Sequence, residues 1–182
     1  MRITGGIYKN RKLAVPTGND IRPTPERMRQ TLFNLLRHAA WADNWYIEGS
    51  SVIDLFCGSG ALGLEALSQG AGYCLFIDKD TKTVTQNSHF LPKAHFEIRQ
   101  EDATRINITG CYDLVFIDPP YNNNLVEPAI ENLIACRCLN DAAIIVVETE
   151  KSCGLKLPLE KLDQRIQSQS ELHIFRYDTA IE

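Results

Sequence analysis

A doubly wound α/β fold, built on a mainly parallel seven-stranded sheet with a small N-terminal β appendage, is what this sequence of 182 residues predicts. Three observations carry that expectation. From Ser51 onward short apolar runs alternate with helical patterns, which argues for parallel strands joined by helical crossovers on both faces of one sheet. One of those runs, Val52 to Phe56, passes through a glycine-rich turn into a helix, the unit that open α/β sheets use to hold nucleotide cofactors. The last two runs, within 163–177, are separated by too few residues for a crossover, so they close the sheet as an antiparallel edge.

In chain order, residues 1–22 read as the β appendage and residues 23–182 as the main domain. Gly5-Gly6 can supply a turn between Arg2-Ile3-Thr4 and Ile7-Tyr8-Lys9, and Thr17-Gly18-Asn19-Asp20 marks a loop. A helix is expected from Pro25 to Trp41, with Thr24 as its N-cap, Pro25 at its first position and Glu26 in its first turn. Met28, Leu32, Leu35, Leu36 and Ala39 form its apolar face and leave Arg27, Gln30, Asn34 and Arg37 to point elsewhere. Then follow a strand over Val52 to Phe56, a helix near Ala61 to Gln69, a strand over Tyr73 to Ile77, and a helix near Thr81 to Phe90. A strand over His95 to Ile98, a strand over Tyr112 to Ile117, a helix near Glu127 to Cys138, and a strand over Ala142 to Glu148 precede the final pair.

The composition, 44% hydrophobic and 23% charged, is that of a globular chain, and no apolar run approaches the length of a membrane span. Met1 to Lys12 is polar and basic, without the pattern of a secretory leader, so a cytoplasmic protein is expected; a monomer is expected as well. The six cysteines, Cys57, Cys74, Cys111, Cys136, Cys138 and Cys153, lack paired CxxC spacing and sit mostly in apolar surroundings, which predicts buried free thiols with neither a metal site nor a disulfide framework. Charge is unevenly spread. Residues 1–29 carry seven basic side chains against two acidic ones, a net +5 within a chain whose total is -4, so the rest is -9. Such a basic end suits a polyanion, with Arg2, Arg11, Lys12, Arg22, Arg27 and Arg29 as candidate phosphate contacts, although a solvated surface face would have the same composition.

Chemistry concentrates in two motifs. In the segment Val52 to Gly63, Gly58 and Gly60 permit a tight turn and close approach of backbone to ligand, with Phe56 entering that turn, while Gly63 lets the helix pack near the strand. Asp78, at the end of the next strand, can accept hydrogen bonds from ribose hydroxyls. A dinucleotide would place pyrophosphate here and gain nothing from a neighbouring carboxylate, whereas Asp54 suits the cationic methionyl portion of S-adenosylmethionine. Asp102, after the third strand, can meet an adenine amino group or serve as a loop cap. The second motif is Asp118-Pro119-Pro120-Tyr121 at the end of the fourth strand. An exocyclic base amine is a poor nucleophile because its lone pair is delocalised. A carboxylate from Asp118 and a carbonyl from Pro119 holding its two hydrogens favour a pyramidal nitrogen, Pro120 stiffens the loop, and Tyr121 can stack on the base.

With Arg2-Ile3-Thr4-Gly5-Gly6, Arg22-Pro23-Thr24, Arg27-Met28-Arg29, Leu32-Phe33-Asn34, the run Gly58 to Leu67 and Asp118 to Tyr121, the sequence resembles the RsmD-type methyltransferases that form N2-methylguanine in bacterial 16S ribosomal RNA. The resemblance spans nearly the whole chain. It implies a Rossmann-like class I methyltransferase fold, S-adenosylmethionine as cofactor, and a basic N-terminal region that engages ribosomal RNA or the small-subunit particle. Two departures are visible: Pro25-Glu26 where the family often has threonine and aspartate, and Asp78 where it often has glutamate. An adenine-N6 DNA methyltransferase could use the same acceptor loop, but the short chain offers little room for groove-reading elements. A cytosine-C5 enzyme would need a cysteine beside its catalytic proline, whereas Cys57 lies in the cofactor loop. A nicotinamide-dependent oxidoreductase leaves Asp118 to Tyr121 without a task, and a noncatalytic RNA-binding module needs neither motif.

Overall fold

The structure, a computed structural model, describes residues 1–16, 26–43, 45–120, 124–151, 154–155, 157–167 and 170–179. The loop at Thr17 to Asp20, the helix cap at Thr24 and Pro25, Arg22, Tyr121 and Cys153 lie outside the described residues. Among the described residues seven strands, β1 Ser51–Leu55, β2 Tyr73–Asp78, β3 Phe96–Gln100, β4 Tyr112–Ile117, β5 Leu139–Glu150, β6 Glu160–Gln167 and β7 Ser170–Arg176, form one sheet in the order β3-β2-β1-β4-β5-β7-β6. The first five are mutually parallel, and β7 runs antiparallel between β5 and β6, as the short final connection requires. The helices are α1 Glu26–His38, α2 Ala61–Ser68, α3 Lys82–Ser88 and α4 Val126–Ala135.

The central strands are continuous apolar runs because both of their faces are covered. On one face Val52, Phe76, Leu114, Phe116, Ile144 and Val146 join a core with α1, α2 and Val84 of α3; on the other, Ile53, Leu55, Leu75, Val115, Ile117, Ile145 and Val147 pack with α4. Successive residues of a strand point to opposite faces, so alternate positions feed the two cores. That is the doubly wound architecture expected.

α4 ends at Ala135 and β6 begins at Glu160, each three residues from expectation, and three further differences have identifiable reasons. The first helix ends at His38; Ala39 takes an extended conformation (φ -71°, ψ 147°) and a short 3-10 turn covers Ala40–Ala42. β5 begins at Leu139, across a register shift, with Ala142 at φ 60°; the polar pair Asn140-Asp141 interrupts the apolar pattern and hides the start of the strand. The N-terminal segment makes its antiparallel bridge between Arg2 and Lys12, with the Ile3 amide donating to Arg11 O at 3.0 Å and the Asn10 amide to Ile3 O at 2.9 Å, so the chain reverses over a wider loop than Gly5-Gly6. Those glycines have another task. At Gly6, φ 75°, an added Cβ would lie 1.7 Å from the Ser68 carbonyl oxygen, so the backbone itself presses on the end of α2. Ile3 and Leu13 are buried in the core, each contributing about 1.5–3 kcal/mol of apolar burial.

Candidate cofactor and acceptor site

Register fixes what meets at the carboxyl edge of the sheet. Leu55 pairs with both Ile77 and Ile117, and Ile117 pairs with Val147. The turn after β1, the end of β2 and the acceptor loop after β4 therefore emerge side by side. Asp78 pairs with Gln100, which brings the segment Glu101 to Thr104 to the same edge.

The turn after β1 is left-handed at three positions: Phe56 at φ 56°, Gly58 at φ 50° and Gly60 at φ 74°. A Cβ on Gly58 would meet nothing nearer than Phe56 O at 4.0 Å, so this glycine leaves open space for a ligand above the backbone. At Gly60 a Cβ would lie 2.6 Å from Val84 Cγ2, and at Gly63 it would lie 2.4 Å from Phe76 Cε1 and 2.6 Å from Cys74 Sγ. Gly63 thus allows α2 to lie against β2, as its position in the motif predicts. Half-buried Asp78 accepts the Gly58 amide on Oδ2 at 2.8 Å and the Asp80 amide on Oδ1 at 3.0 Å, holding the rim of the turn.

The sequence places Asp54 beside the turn as a carboxylate suited to a cationic group; in the structure it lies buried beneath the turn. Asp54 is 2% exposed, and its Oδ2 accepts the Gly63 amide at 2.9 Å in the first turn of α2. Burial, reinforced by nearby Asp78 and opposed by the Gly63 hydrogen bond, pushes its carboxyl up to about 8. Asp54 braces the helix from beneath, and Asp78 is the carboxylate at the rim. Asp102 is occupied as well: Oδ1 accepts the Thr104 amide at 3.0 Å and hydroxyl at 2.8 Å, and Oδ2 pairs with Lys79 Nζ at 3.1 Å. Those hydrogen bonds, Thr104's first, hold it down to about 2. It is the loop-capping alternative that the geometry displays, on a side chain still 38% exposed at the edge. Asp118 and Pro119 are half-buried at the end of β4 and Pro120 is exposed.

Of the basic candidates, Arg2, Arg11, Lys12 and Arg27 are exposed. Arg2 pairs with Glu26 at 3.3 Å, and the Arg11 guanidinium lies 4.0 Å over the Phe90 ring, an arrangement that leaves its outward N–H groups available. Arg29 is a correction. It is 0% exposed, donates to Arg2 O at 2.7 Å and lies 4.0 Å from the buried carboxylate of Glu65, so it cannot reach an RNA phosphate. Burial lowers its pKa, with Glu65, Glu26 and Glu148 opposing that shift.

Three polar residues escaped the sequence reading. Glu65 of α2 is 0% exposed and accepts the Thr4 amide (2.8 Å), the Thr4 hydroxyl (2.9 Å) and the Gly5 amide (2.7 Å), pinning the N-terminal segment to α2. Asn87 of α3 and Glu148, next to the Ile117 partner Val147 on β5, are both 5% exposed. For Glu65, inside the apolar run of α2, and Glu148, at the end of the apolar run of β5, a polar residue in that setting was the available signal; Asn87, in the polar sequence of α3, carried none. Among the thiols, Cys57, Cys74 and Cys138 are buried, Cys136 is half-buried, and Cys111 is exposed in the loop before β4, where the expectation of an apolar setting does not hold. Among the described residues no group of three or more His, Cys, Asp or Glu is clustered to hold a metal ion, and no helix is long and apolar enough to cross a membrane.

The model of the family described as Conserved hypothetical protein 95 matches residues 1–176. The chain is 36% identical over 169 residues to the ribosomal RNA small subunit methyltransferase D of Haemophilus influenzae, covering 87% of this chain and 83% of that one. It is 37% identical over 164 residues to the protein of the same name from Escherichia coli, covering 85% and 77% of the two chains. The solved structure of Escherichia coli yhhF superposes with TM-score 0.80 at 31% identity, over 98% of each chain.

Proposed function

Since the chain belongs to the RsmD-type class I methyltransferases, the family described as Conserved hypothetical protein 95, we propose that it methylates the exocyclic N2 amine of a guanine in small-subunit ribosomal RNA, using S-adenosylmethionine. One observation carries this reading: the glycine turn after β1 and Asp118-Pro119-Pro120 leave adjacent, register-locked strands, Leu55 beside Ile117. The names of the Haemophilus and Escherichia relatives supply the class of RNA.

The residues present fit the cofactor. Gly58 offers open space over a left-handed turn, and Phe56 and Gly60 shape that turn. Asp78 at its rim can accept ribose hydroxyls, Asp102 borders the adenine side, and Asp54 beneath supplies negative potential to a cationic methionyl portion once ionised. When bound, the cofactor supplies an electrophilic methyl group on a sulfonium. The protein's part is positioning and charge. Asp118 and the Pro119 carbonyl each accept one hydrogen of the guanine amine, which turns the nitrogen lone pair out of conjugation. The new N–C bond forms as the S–C bond breaks, and the amine's surplus proton passes to Asp118 or to solvent. Tyr121 stacks on the base to hold the line of attack. In this reading residues 1–22 are the RNA-engaging appendage of a catalytic domain over 23–182, with Arg2, Arg11, Lys12, Arg22 and Arg27 on phosphates, and the enzyme works as a monomer in the cytoplasm.

The test is methyl transfer by the purified protein to small-subunit RNA, to the small-subunit particle and to duplex DNA, with products identified by nucleoside mass spectrometry. N2-methylguanine in an RNA sample is the expected result. Absence of any methylated nucleoside, or N6-methyladenine in the DNA alone, would overturn it.

A further inference from the structure

The basic N-terminal segment and the cofactor turn meet at one side chain. Asn87, on α3, is 5% exposed, and both hydrogens of its amide are used: Nδ2 donates to Ala14 O at 3.0 Å and to Ser59 O at 2.9 Å. Its Oδ1 accepts the Ala14 amide at 2.8 Å. Ser59 sits between Gly58 and Gly60 at the centre of the turn, and Ala14 follows Arg11 and Lys12 with only buried Leu13 between. A third contact ties the same helix to the turn, since Val84 lies where a side chain on Gly60 would fall.

We infer that Asn87 is a positioning residue that couples the cofactor turn to the RNA-contacting segment, so that occupancy of one site raises affinity at the other. The inference rests on the cofactor and RNA assignments above. The turn is built around two glycines at positive φ, the residue type with the most conformational freedom to lose, and a ligand seated on it restricts the Ser59 carbonyl. An amide as buried as Asn87 cannot exchange a lost partner for water, so the Ser59 and Ala14 positions that satisfy it are favoured together. By linkage the effect is reciprocal: RNA held by Arg11 and Lys12 must tighten cofactor binding by the same factor. A clamp with only a structural role would stabilise the fold and leave the two affinities independent.

The experiment uses the full chain and S-adenosylhomocysteine as the cofactor probe. Amide hydrogen exchange at Ala14, whose N–H bonds directly to Asn87, should slow by about fivefold or more when the probe binds, and affinity for small-subunit RNA should rise by a similar factor. Asn87→Asp keeps the side-chain shape and the acceptor for Ala14 N–H but cannot donate to Ala14 O or Ser59 O; in it both ratios should fall to about one. Ile130→Val, a buried change in the opposite core, should keep the parent's ratios. Probe binding without protection at Ala14, or full coupling in Asn87→Asp, overturns the inference and leaves the methyltransferase reading intact. Failure of the probe to bind at all removes both. The parent's exchange measurement needs no variant, so it decides the matter even if Asn87→Asp fails to fold.

Discussion

Asp54→Asn tests the placement of the cofactor turn through the pH dependence of stability. Asp54 is fully buried, and its carboxyl titrates near 8 against an ordinary value of 3.8. Between those values the folded protein keeps a proton that the unfolded chain has released, so the folded state binds more protons and stability falls as pH rises. The contribution is fully present below about pH 4 and is lost progressively up to about pH 8. Each pKa unit corresponds to about 1.4 kcal/mol, so a shift of about four units gives on the order of 5 kcal/mol across the window, or roughly 1 kcal/mol per pH unit. Asparagine stays neutral throughout and retains an acceptor for the Gly63 amide. Urea unfolding of parent and variant from pH 5 to pH 8 should show the parent losing roughly 1 kcal/mol per pH unit relative to Asp54→Asn, with the variant the more stable at pH 8. His173, whose pKa burial lowers, has the opposite sign between its depressed value and the ordinary 6.5, but it is common to both proteins and cancels in the difference. Parallel pH profiles would show that Asp54 titrates as an exposed carboxylate, and the account of the loop braced from beneath would be wrong.

Gly63→Ala should destabilise the fold by about 1–3 kcal/mol in urea unfolding, because its methyl group would sit 2.4 Å from Phe76 Cε1; a neutral effect would mean that α2 packs less closely on β2. Asp118→Ala should lower kcat about a hundredfold or more while S-adenosylhomocysteine affinity, read by calorimetry, stays within about twofold, and near-normal turnover would remove Asp118 from the acceptor site. The Arg11→Ala, Lys12→Ala, Arg22→Ala triple variant should bind RNA more weakly and with a salt dependence flatter by about two to three in log–log slope. Unchanged affinity and slope would take this segment out of RNA recognition.

The centre of the sheet was legible because β1, β2, β4 and much of β5 are buried on both faces and so read as apolar runs, and because the glycine turn and Asp118 follow two of those runs directly. The N-terminal reversal was not. A Gly-Gly pair signals a tight turn and a close backbone approach with the same letters, and only the Ser68 carbonyl beneath Gly6 distinguishes them. Arg29 misled for a related reason. Its neighbours Arg27 and Gln30 are exposed, and a basic residue in a basic segment reads as surface until Glu65, 36 positions further on, is seen to face it. Asp54 and Asp102 were placed at the correct edge, but sequence spacing cannot tell a carboxylate that waits for a ligand from one already engaged by Gly63 or Thr104.

The wide N-terminal reversal, the burial of Arg29 and the engagement of Asp54 have a common physical origin in α2. All eight of its residues are buried, including Glu65 and Ser68, so the helix cannot rely on solvent for its polar groups, and each must find a protein partner. Asp54 takes the Gly63 amide at its first turn. At its last turn the Ser68 carbonyl accepts the Ile7 amide at 2.8 Å and the Ser68 hydroxyl donates to Gly5 O at 2.6 Å. Glu65, between them, gathers Thr4 and Gly5 and faces Arg29. The N-terminal segment therefore completes the helix whose other end is the cofactor turn. A buried carboxylate that loses hydrogen-bond donors is costly, about 1.5–3 kcal/mol for each bond to a charged group, so the Thr4 and Gly5 donors cannot leave Glu65 without destabilising α2. That requirement fixes where Arg11 and Lys12 stand relative to Gly58 and Asp118, and it supplies the rigid connection on which a coupling through Asn87 can act.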